Sequence, residues 1–227
     1  MRAAELAGFP IRAGAAIRGA RLFHPHGVLA TGTLTRTASD NVGLPVETGP
    51  VIARVSKGVG VPGSLPDVIG LAVRMEPHEG DETPWDLLLA SALGGTGWRK
   101  TIPFPARSVD TAVLSTLQPL DHRGTSWWLR ARLVREQTDI SIATDQIARR
   151  IGHRGLIFEL EQTQGHTPFF PLARVELIAT ADESDFPDIG FDPTMNTTRS
   201  VRPGPSWLSS IREVAYRRSR QGRDAES

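Results

Sequence analysis

The segment SWWLRARLVR, residues 126–135, decides the fold class, because its side chains alternate in character from one residue to the next. One set of alternate positions is entirely apolar, namely Trp127, Leu129, Ala131 and Leu133. A repeat of two residues is typical of a β-strand with one face in a core, since successive side chains point to opposite sides of a sheet. The segment therefore predicts a strand, with one of its two tryptophans in the core.

Segments of similar length and character occur on both sides of this strand. They are GVLATGTLTRT (27–37), VIARVS (51–56), IGLAVRM (69–75), WDLLLAS (85–91), GLIFELEQT (155–163) and ARVELIAT (173–180). Short strands separated by turns indicate a sandwich or a closed barrel rather than βαβ units. The predicted fold is α+β: an antiparallel β-barrel of about eight strands with a C-terminal helix.

Helical pattern is limited to a few places. A stretch near 107–117 has helical character, and 139–153 fits a helix or a loop. The clearest helix is expected at 207–221, because prolines precede it, Ser206 can cap it and Gly222 ends it. At about 100° per residue, one face of this helix carries Arg212, Tyr216, Arg220 and Arg223.

Composition narrows the classes of function. The chain has 227 residues, which suits one domain over residues 21–227 after an N-terminal arm or helix at 1–20. The net charge of +1 gives no general attraction to nucleic acid or to membranes. The absence of cysteine excludes disulfides, thiolate nucleophiles and iron–sulfur clusters. No signal peptide or membrane-spanning stretch is recognisable, so we expect a cytoplasmic protein.

Three segments contain the residues with the most distinctive chemistry. The first is RLFHPHGV (21–28), in which a histidine lies between an arginine and a glycine. The second is RVS (54–56), followed by GLAVRM (70–75) and WDL (85–87). The third is FDP (191–193), followed by PGPSWLSSIREVAYRRSRQGR (203–223). In their order and spacing, these segments resemble the haem-binding segments of catalases.

The resemblance implies a small member of the catalase-like superfamily that binds haem b. It makes His24 the acid–base residue on the distal side of the haem, with Ser56 orienting its ring. Tyr216, the only tyrosine of the chain, becomes the axial ligand of the iron. Phe104 becomes part of the apolar distal wall. The arginines assigned to the cofactor are Arg21, Arg54, Arg212, Arg220 and Arg223.

The chemistry of these side chains agrees with the assignment. A free phenol has a pKa of about 10, and an arginine one helical turn away, such as Arg212, favours the ionised form that binds iron. A neutral imidazole can take a proton from one peroxide oxygen and return it to the other. Haem propionates are carboxylates, which arginines bind through charge-assisted hydrogen bonds. Arg21, Arg54 and Arg223 match the catalase residues with that role.

Some positions depart from the catalase pattern. Catalases have a distal asparagine where counting forward from Trp85 gives Ala90. Arg217 to Ser219 replace the usual Pro-Asp-Thr after the ligand tyrosine. The expected function is therefore an oxidoreductase that reacts with peroxide or a small organic hydroperoxide. Two alternatives remain: a haem carrier or sensor without turnover, and a haem-free barrel that binds another apolar anion. The sequence leaves open whether the protein is a homodimer.

Overall fold

A computed structural model of the chain describes residues 27–58, 60–94, 97–165, 167–186 and 189–204. In these residues the chain is mostly β, with one α-helix, α1 (Thr144–Arg154). Short 3-10 turns occupy Gly97–Thr101 and Glu183–Asp185. The strands are β1 (Gly27–Arg36), β2 (Gly49–Lys57), β3 (Ile69–Met75), β4 (Trp85–Ser91), β5 (Leu114–Ser115), β6 (Leu120–His122), β7 (Thr125–Leu133), β8 (Leu156–Gln164), β9 (Phe170–Thr180) and β10 (Val201–Pro203).

Eight strands form a closed antiparallel barrel in the order β7-β5-β4-β3-β2-β1-β9-β8. Pairing between β8 and β7 closes it, from Trp127 opposite Gln164 to Leu133 opposite Phe158. The two remaining strands extend the sheet from β7: β6 pairs with β7, and β10 pairs with β6. Closure gives each barrel strand two neighbours, which leaves no open edge in the barrel.

The alternation of side chains sends every second residue of a strand into the barrel. In β2, Val51, Ala53 and Val55 belong to the interior core. In β7, Trp127 is 5% exposed and belongs to the same core, which confirms the expectation that one tryptophan of the pair is buried. The residues that alternate with these inward-facing ones face outward, and they form the candidate site.

The strand predictions agree closely with the structure. The strands at 69–75 and 85–91 have the predicted bounds, and the other five predicted strands differ only by a few residues at their ends. The helix α1 lies largely within the ambiguous segment 139–153, and its Ile147 and Ile151 contribute to the interior core. Among the described helices, none is long and apolar enough to cross a membrane.

The helical interpretation of 107–117 is wrong. This segment consists of turns followed by β5, and its backbone bonds to other parts of the chain. The Val109 amide donates to the Ile140 carbonyl at 2.8 Å, for example. These long-range bonds replace the bonds that a helix would make within itself. The predicted N-terminal arm at 1–20 and the predicted C-terminal helix at 207–221 lie outside the described residues.

A second, smaller cluster covers part of the outer face of the barrel. Leu29, Ala72 and Leu88 face outward from β1, β3 and β4 and pack with Phe191 of the segment that follows β9. The covering segment is residues 181–186 and 189–204. Its attachment point is the fully buried carboxylate of Asp86, which accepts hydrogen bonds from the Asp192 amide and the Asn196 side chain, both at 2.8 Å. The outer face of β1–β4 is thus a second buried surface.

Candidate functional site

Small residues form a row across the outer face of the barrel. The strand registers place Gly27 opposite Ser56, Ser56 opposite Gly70, Gly70 opposite Ala90, and Ala90 opposite Ser115. We call these five residues the small-residue row. Opposed residues in adjacent strands point to the same face of a sheet. Five successive strands therefore present no side chain larger than a serine along this line.

The first position of the row must be a glycine, because neighbouring atoms leave no room for a side chain at Gly27. A Cβ atom at this position would lie 2.8 Å from Cγ of Arg54 and 2.9 Å from Cβ of Ser56. Contacts this short would force β1 away from β2. Gly27 therefore lets the two strands approach closely where the chain enters the barrel from residue 26.

Ser56 is the most unusual residue of the row. Its side chain is buried, at 1% exposure, and its Oγ has no hydrogen-bond partner among the described residues. Buried polar atoms nearly always have a partner, because an unpaired one costs the free energy of its lost hydration. Ser56 therefore has hydrogen-bonding capacity that the described part of the protein does not use.

The neighbourhood of Ser56 includes the point where the His24 segment joins the barrel. Gly27, which pairs with Ser56, is three residues after His24 in the chain. His24 lies outside the described residues, so its distance from Ser56 is not defined. The connection limits His24 to within about 11 Å of the Gly27 backbone, because an extended chain spans at most about 3.6 Å per residue.

Arg54 lies two residues before Ser56 in β2, and its side chain is on the same outer face. Its side chain is largely buried and donates through Nη2 to Oε1 of Glu183 at 3.0 Å. Its guanidinium lies 5.5 Å from the ring centre of Phe191. Burial lowers the pKa of Arg54 from its ordinary value, and the charge of Glu183 opposes that shift. Its Nε is buried and has no partner among the described residues, so Arg54 can still bind another acceptor.

Ala90 lies in an apolar part of the row. It is 4% exposed and packs with Val68 and Leu117. Ala90 therefore has apolar contacts at the position where the catalase pattern has an asparagine. Within the row, the side-chain polar groups are the hydroxyls of Ser56 and Ser115.

Phe104 differs from the expectation of a buried wall residue, since its side chain is 45% exposed. Its backbone is fixed to the end of β4. The Phe104 amide donates to the Ser91 carbonyl at 2.8 Å, and the Ser91 hydroxyl donates to the Phe104 carbonyl at 2.6 Å. The ring is thus held beside the row but is open to solvent.

The remaining predicted site residues lie outside the described residues: Arg21, His24, Arg212, Tyr216, Arg220 and Arg223. The structure therefore brings together Ser56 and Arg54 of the predicted site. In the described part of the chain, no group of three or more His, Asp or Glu side chains is arranged to hold a metal ion.

Sequence reasoning missed a second group of polar residues, Lys100, Ser115 and Arg130, at the far end of the row. The only signal in the sequence was the rarity of lysine, since the chain contains two, Lys57 and Lys100, among 26 basic residues. Ser115 belongs to a strand of two residues, which is too short to show a periodic pattern.

The chain was compared with known proteins. No protein-family model matches the sequence. A search of curated proteins finds no significant relative.

Proposed function

We propose that this protein binds haem b over the small-residue row and reacts with peroxide or with a small organic hydroperoxide. The observation that carries the proposal is the buried Oγ of Ser56, which has no hydrogen-bond partner among the described residues. It lies in the small-residue row beside the strand that begins three residues after His24. A ring nitrogen of His24 is the partner that we assign to this hydroxyl.

The described residues fit the haem group in two respects. A planar macrocycle needs strands without bulky side chains beneath it, and the row supplies only glycine, serine and alanine. A propionate needs a cation, and Arg54 has a buried Nε available for an acceptor. The ion pair with Glu183 competes with this role, but Glu183 is 58% exposed and can turn into solvent.

The residues outside the described part complete the proposed site. Tyr216 would hold the iron, and Arg212, one helical turn away, would keep the phenol ionised by stabilising its negative charge. Arg21, Arg220 and Arg223 would bind the propionates together with Arg54. When bound, haem would supply cleavage of the O–O bond, which an anionic ligand such as the Tyr216 phenolate would favour.

The protein's own contribution to the reaction is proton transfer. His24 would take the proton from one oxygen of the peroxide and give it to the other, which then leaves as water or alcohol. Turnover would be completed by two electrons and two protons from a reducing co-substrate, which convert the remaining oxygen to water. Ser56 would bond one ring nitrogen and so direct the other towards the substrate. A hydroxyl can both donate and accept, so Ser56 can follow the change in protonation of the ring without moving.

A second candidate function is haem binding without turnover, and Ala90 favours it. Ala90 has no polar group of its own and packs with Val68 and Leu117, so it cannot supply a second hydrogen bond to a small peroxide. A larger hydroperoxide could be positioned by apolar contact instead. The two candidates differ in whether the haem-loaded protein consumes a hydroperoxide at steady state.

The first test is the ultraviolet–visible spectrum of the full chain after haem supplementation, beside Tyr216→Phe. A Soret band with high-spin phenolate features in the parent, altered or lost in Tyr216→Phe, supports haem binding through this ligand. If the parent binds no haem, the cofactor assignment is wrong. An unchanged spectrum in Tyr216→Phe means that another residue binds the iron.

The second test is hydroperoxide consumption by the haem-loaded parent, His24→Ala and Ser56→Ala. General acid–base catalysis is worth about 10²- to 10⁴-fold, so His24→Ala is expected to lose at least about a hundredfold in kcat/KM. Ser56→Ala should lose less, since it only orients the ring. Ser126→Ala, an exposed serine on β7, is the control. Equal rates in the parent and His24→Ala would rule out the mechanism, and no turnover in any protein would favour the carrier function.

A further inference from the structure

A second polar group lies on the outer face of the barrel, around Lys100. This lysine is 5% exposed, although ammonium groups usually extend into solvent. Its Nζ donates to the Gly165 carbonyl at 3.0 Å and lies 4.3 Å from the ring centre of Trp128. A carbonyl and an aromatic face are attractive to a cation, but neither neutralises its charge.

Lys100 has no acidic partner among the described residues. No ion pair involves it, and burial is the cause of its lowered pKa. A buried ion without a counter-ion costs several kcal/mol, so proteins rarely leave one in this state. Lys57, the other lysine, differs because its Nζ donates to two carbonyls, those of Val61 and Gly63.

A small cleft adjoins Lys100, and Arg130 and Ser115 form its other polar walls. Arg130 stacks 4.1 Å from the ring centre of Phe169 and donates to Glu161 through Nε at 2.5 Å and Nη2 at 3.1 Å. The Ser115 Oγ accepts from the Leu117 amide at 3.3 Å, which leaves its hydroxyl hydrogen for another acceptor. All the polar groups that face the cleft can therefore donate a hydrogen bond.

Size and charge define what the cleft can accept. Its volume is about 10 Å³, which is room for one group the size of a water molecule. Glu161 neutralises Arg130, so Lys100 contributes one uncompensated positive charge. A group with one negative charge that inserts a single oxygen matches both properties. The second negative charge of a phosphate would have no positive partner in this cleft.

We propose that the cleft binds the carboxylate of a small organic acid, with Lys100 as its ionic partner and Ser115 and Arg130 as hydrogen-bond donors. The cleft lies at the end of the small-residue row, because Ala90 pairs with Ser115 and Ser115 pairs with Arg130. The proposal is independent of haem binding, and its test uses the protein without added haem.

The rarity of lysine makes a direct test practicable. Full-length protein labelled with ¹³C-lysine gives one Cε resonance each for Lys57 and Lys100, and Lys100→Met assigns them. Sodium propionate is expected to move the Lys100 resonance along a saturable curve and to raise the pH at which Lys100 titrates, because a bound anion stabilises the ammonium form. The Lys57 resonance should stay in place.

Two additional ligands and two variants make the outcome decisive. Propionamide, which has the same shape without the charge, and sodium chloride at equal ionic strength should not move the Lys100 resonance. Ser115→Ala should weaken propionate binding at least about tenfold, as expected for the loss of one hydrogen bond to a charged group. Arg132→Gln, an exposed arginine outside the cleft, should bind as the parent does. No movement with propionate, or equal movement with chloride or propionamide, would overturn the proposal.

Discussion

Ser56 and Lys100 are polar residues that the barrel buries without the partners that burial normally requires. The hydroxyl of Ser56 has no partner among the described residues, and Lys100 has a carbonyl and an aromatic ring but no carboxylate. Each costs free energy in the folded protein unless something else bonds to it. Residues of this kind are common at functional sites, where the missing partner is a substrate, a cofactor or another part of the chain.

A double-mutant cycle tests whether His24 is the partner of Ser56. Ser56→Ala is expected to cost about 1 kcal/mol of unfolding free energy in the parent, the usual net value of one hydrogen bond. In a His24→Ala background the same substitution should cost almost nothing, because the hydroxyl then has no bond to lose. Urea denaturation gives the unfolding free energy of the parent, the two single variants and the double variant. Equal costs in the two backgrounds would mean that Ser56 and His24 do not interact.

The buried ammonium group of Lys100 predicts a pH dependence of stability. Burial lowers its pKa below the ordinary value of 10.5, so between the folded-state pKa and 10.5 the unfolded chain binds more protons than the folded protein. The free energy of unfolding contributed by this group therefore rises with pH across that window. Below the folded-state pKa both states are protonated, and the contribution no longer changes.

Lys100→Met should remove this alkaline rise. Urea midpoints collected across the alkaline range up to pH 10.5 measure it, with Arg135→Met as the control because Arg135 is exposed. The control should keep the rise of the parent. Parallel curves for the parent and Lys100→Met would show that Lys100 is as well solvated in the folded protein as in the unfolded chain.

At the scale of elements, one carboxylate attaches the covering segment to the barrel. Asp86 on β4 accepts from Nε and Nη2 of Arg74 on β3, both at 2.7 Å, and from the two groups of the covering segment described above. Arg74 also donates to the Gly190 carbonyl at 2.7 Å. The pair therefore fixes residues 190–196 to the outer face of two strands, next to Arg54 and Phe191.

Loss of this carboxylate should strongly destabilise the protein. Asp86→Ala is expected to lower the unfolding free energy by about 3–5 kcal/mol, because it leaves the Arg74 guanidinium without its counter-ion. Asp145→Ala is the matched control, since Asp145 forms an ion pair with Arg149 on α1 in which both side chains are more than half exposed. That pair should contribute less than about 0.5 kcal/mol. A loss below 1 kcal/mol for Asp86→Ala would show that the covering segment is held mainly by its apolar contacts.

The whole molecule shows which features sequence can predict. The strands at 69–75 and 85–91 were predicted to the residue, because local side-chain pattern and flanking turns determine them. The strands β5, β6 and β10 have only two or three residues and show no period. The small-residue row combines residues from five strands whose registers depend on pairing across the barrel. The motif resemblance selects Ser56 and Arg54 as candidates, but the burial of Lys100 depends on distant segments that no local pattern describes.

Barrel closure predicts how the protein unfolds. Each of the eight barrel strands is bonded on two sides, whereas β10 is bonded only to the three-residue strand β6. Opening a barrel strand therefore breaks two ladders of hydrogen bonds, while β10 separates by breaking only its three-residue ladder with β6. In hydrogen exchange of the native protein, amides of β2 and β3 should share one opening free energy equal to that of global unfolding. The amides of β6 and β10 should open at least about 2 kcal/mol more easily.

Trp85 and Trp127 report on the same transition, because both side chains belong to the interior core. Their fluorescence and the far-ultraviolet circular dichroism should change at the same urea concentration, as in a two-state transition. If β10 exchanges with the same free energy as β2, the covering segment and the barrel form a single cooperative unit. In that case Asp86→Ala would lower the protection of every strand equally, and the outer face carrying the small-residue row would be as rigid as the interior core.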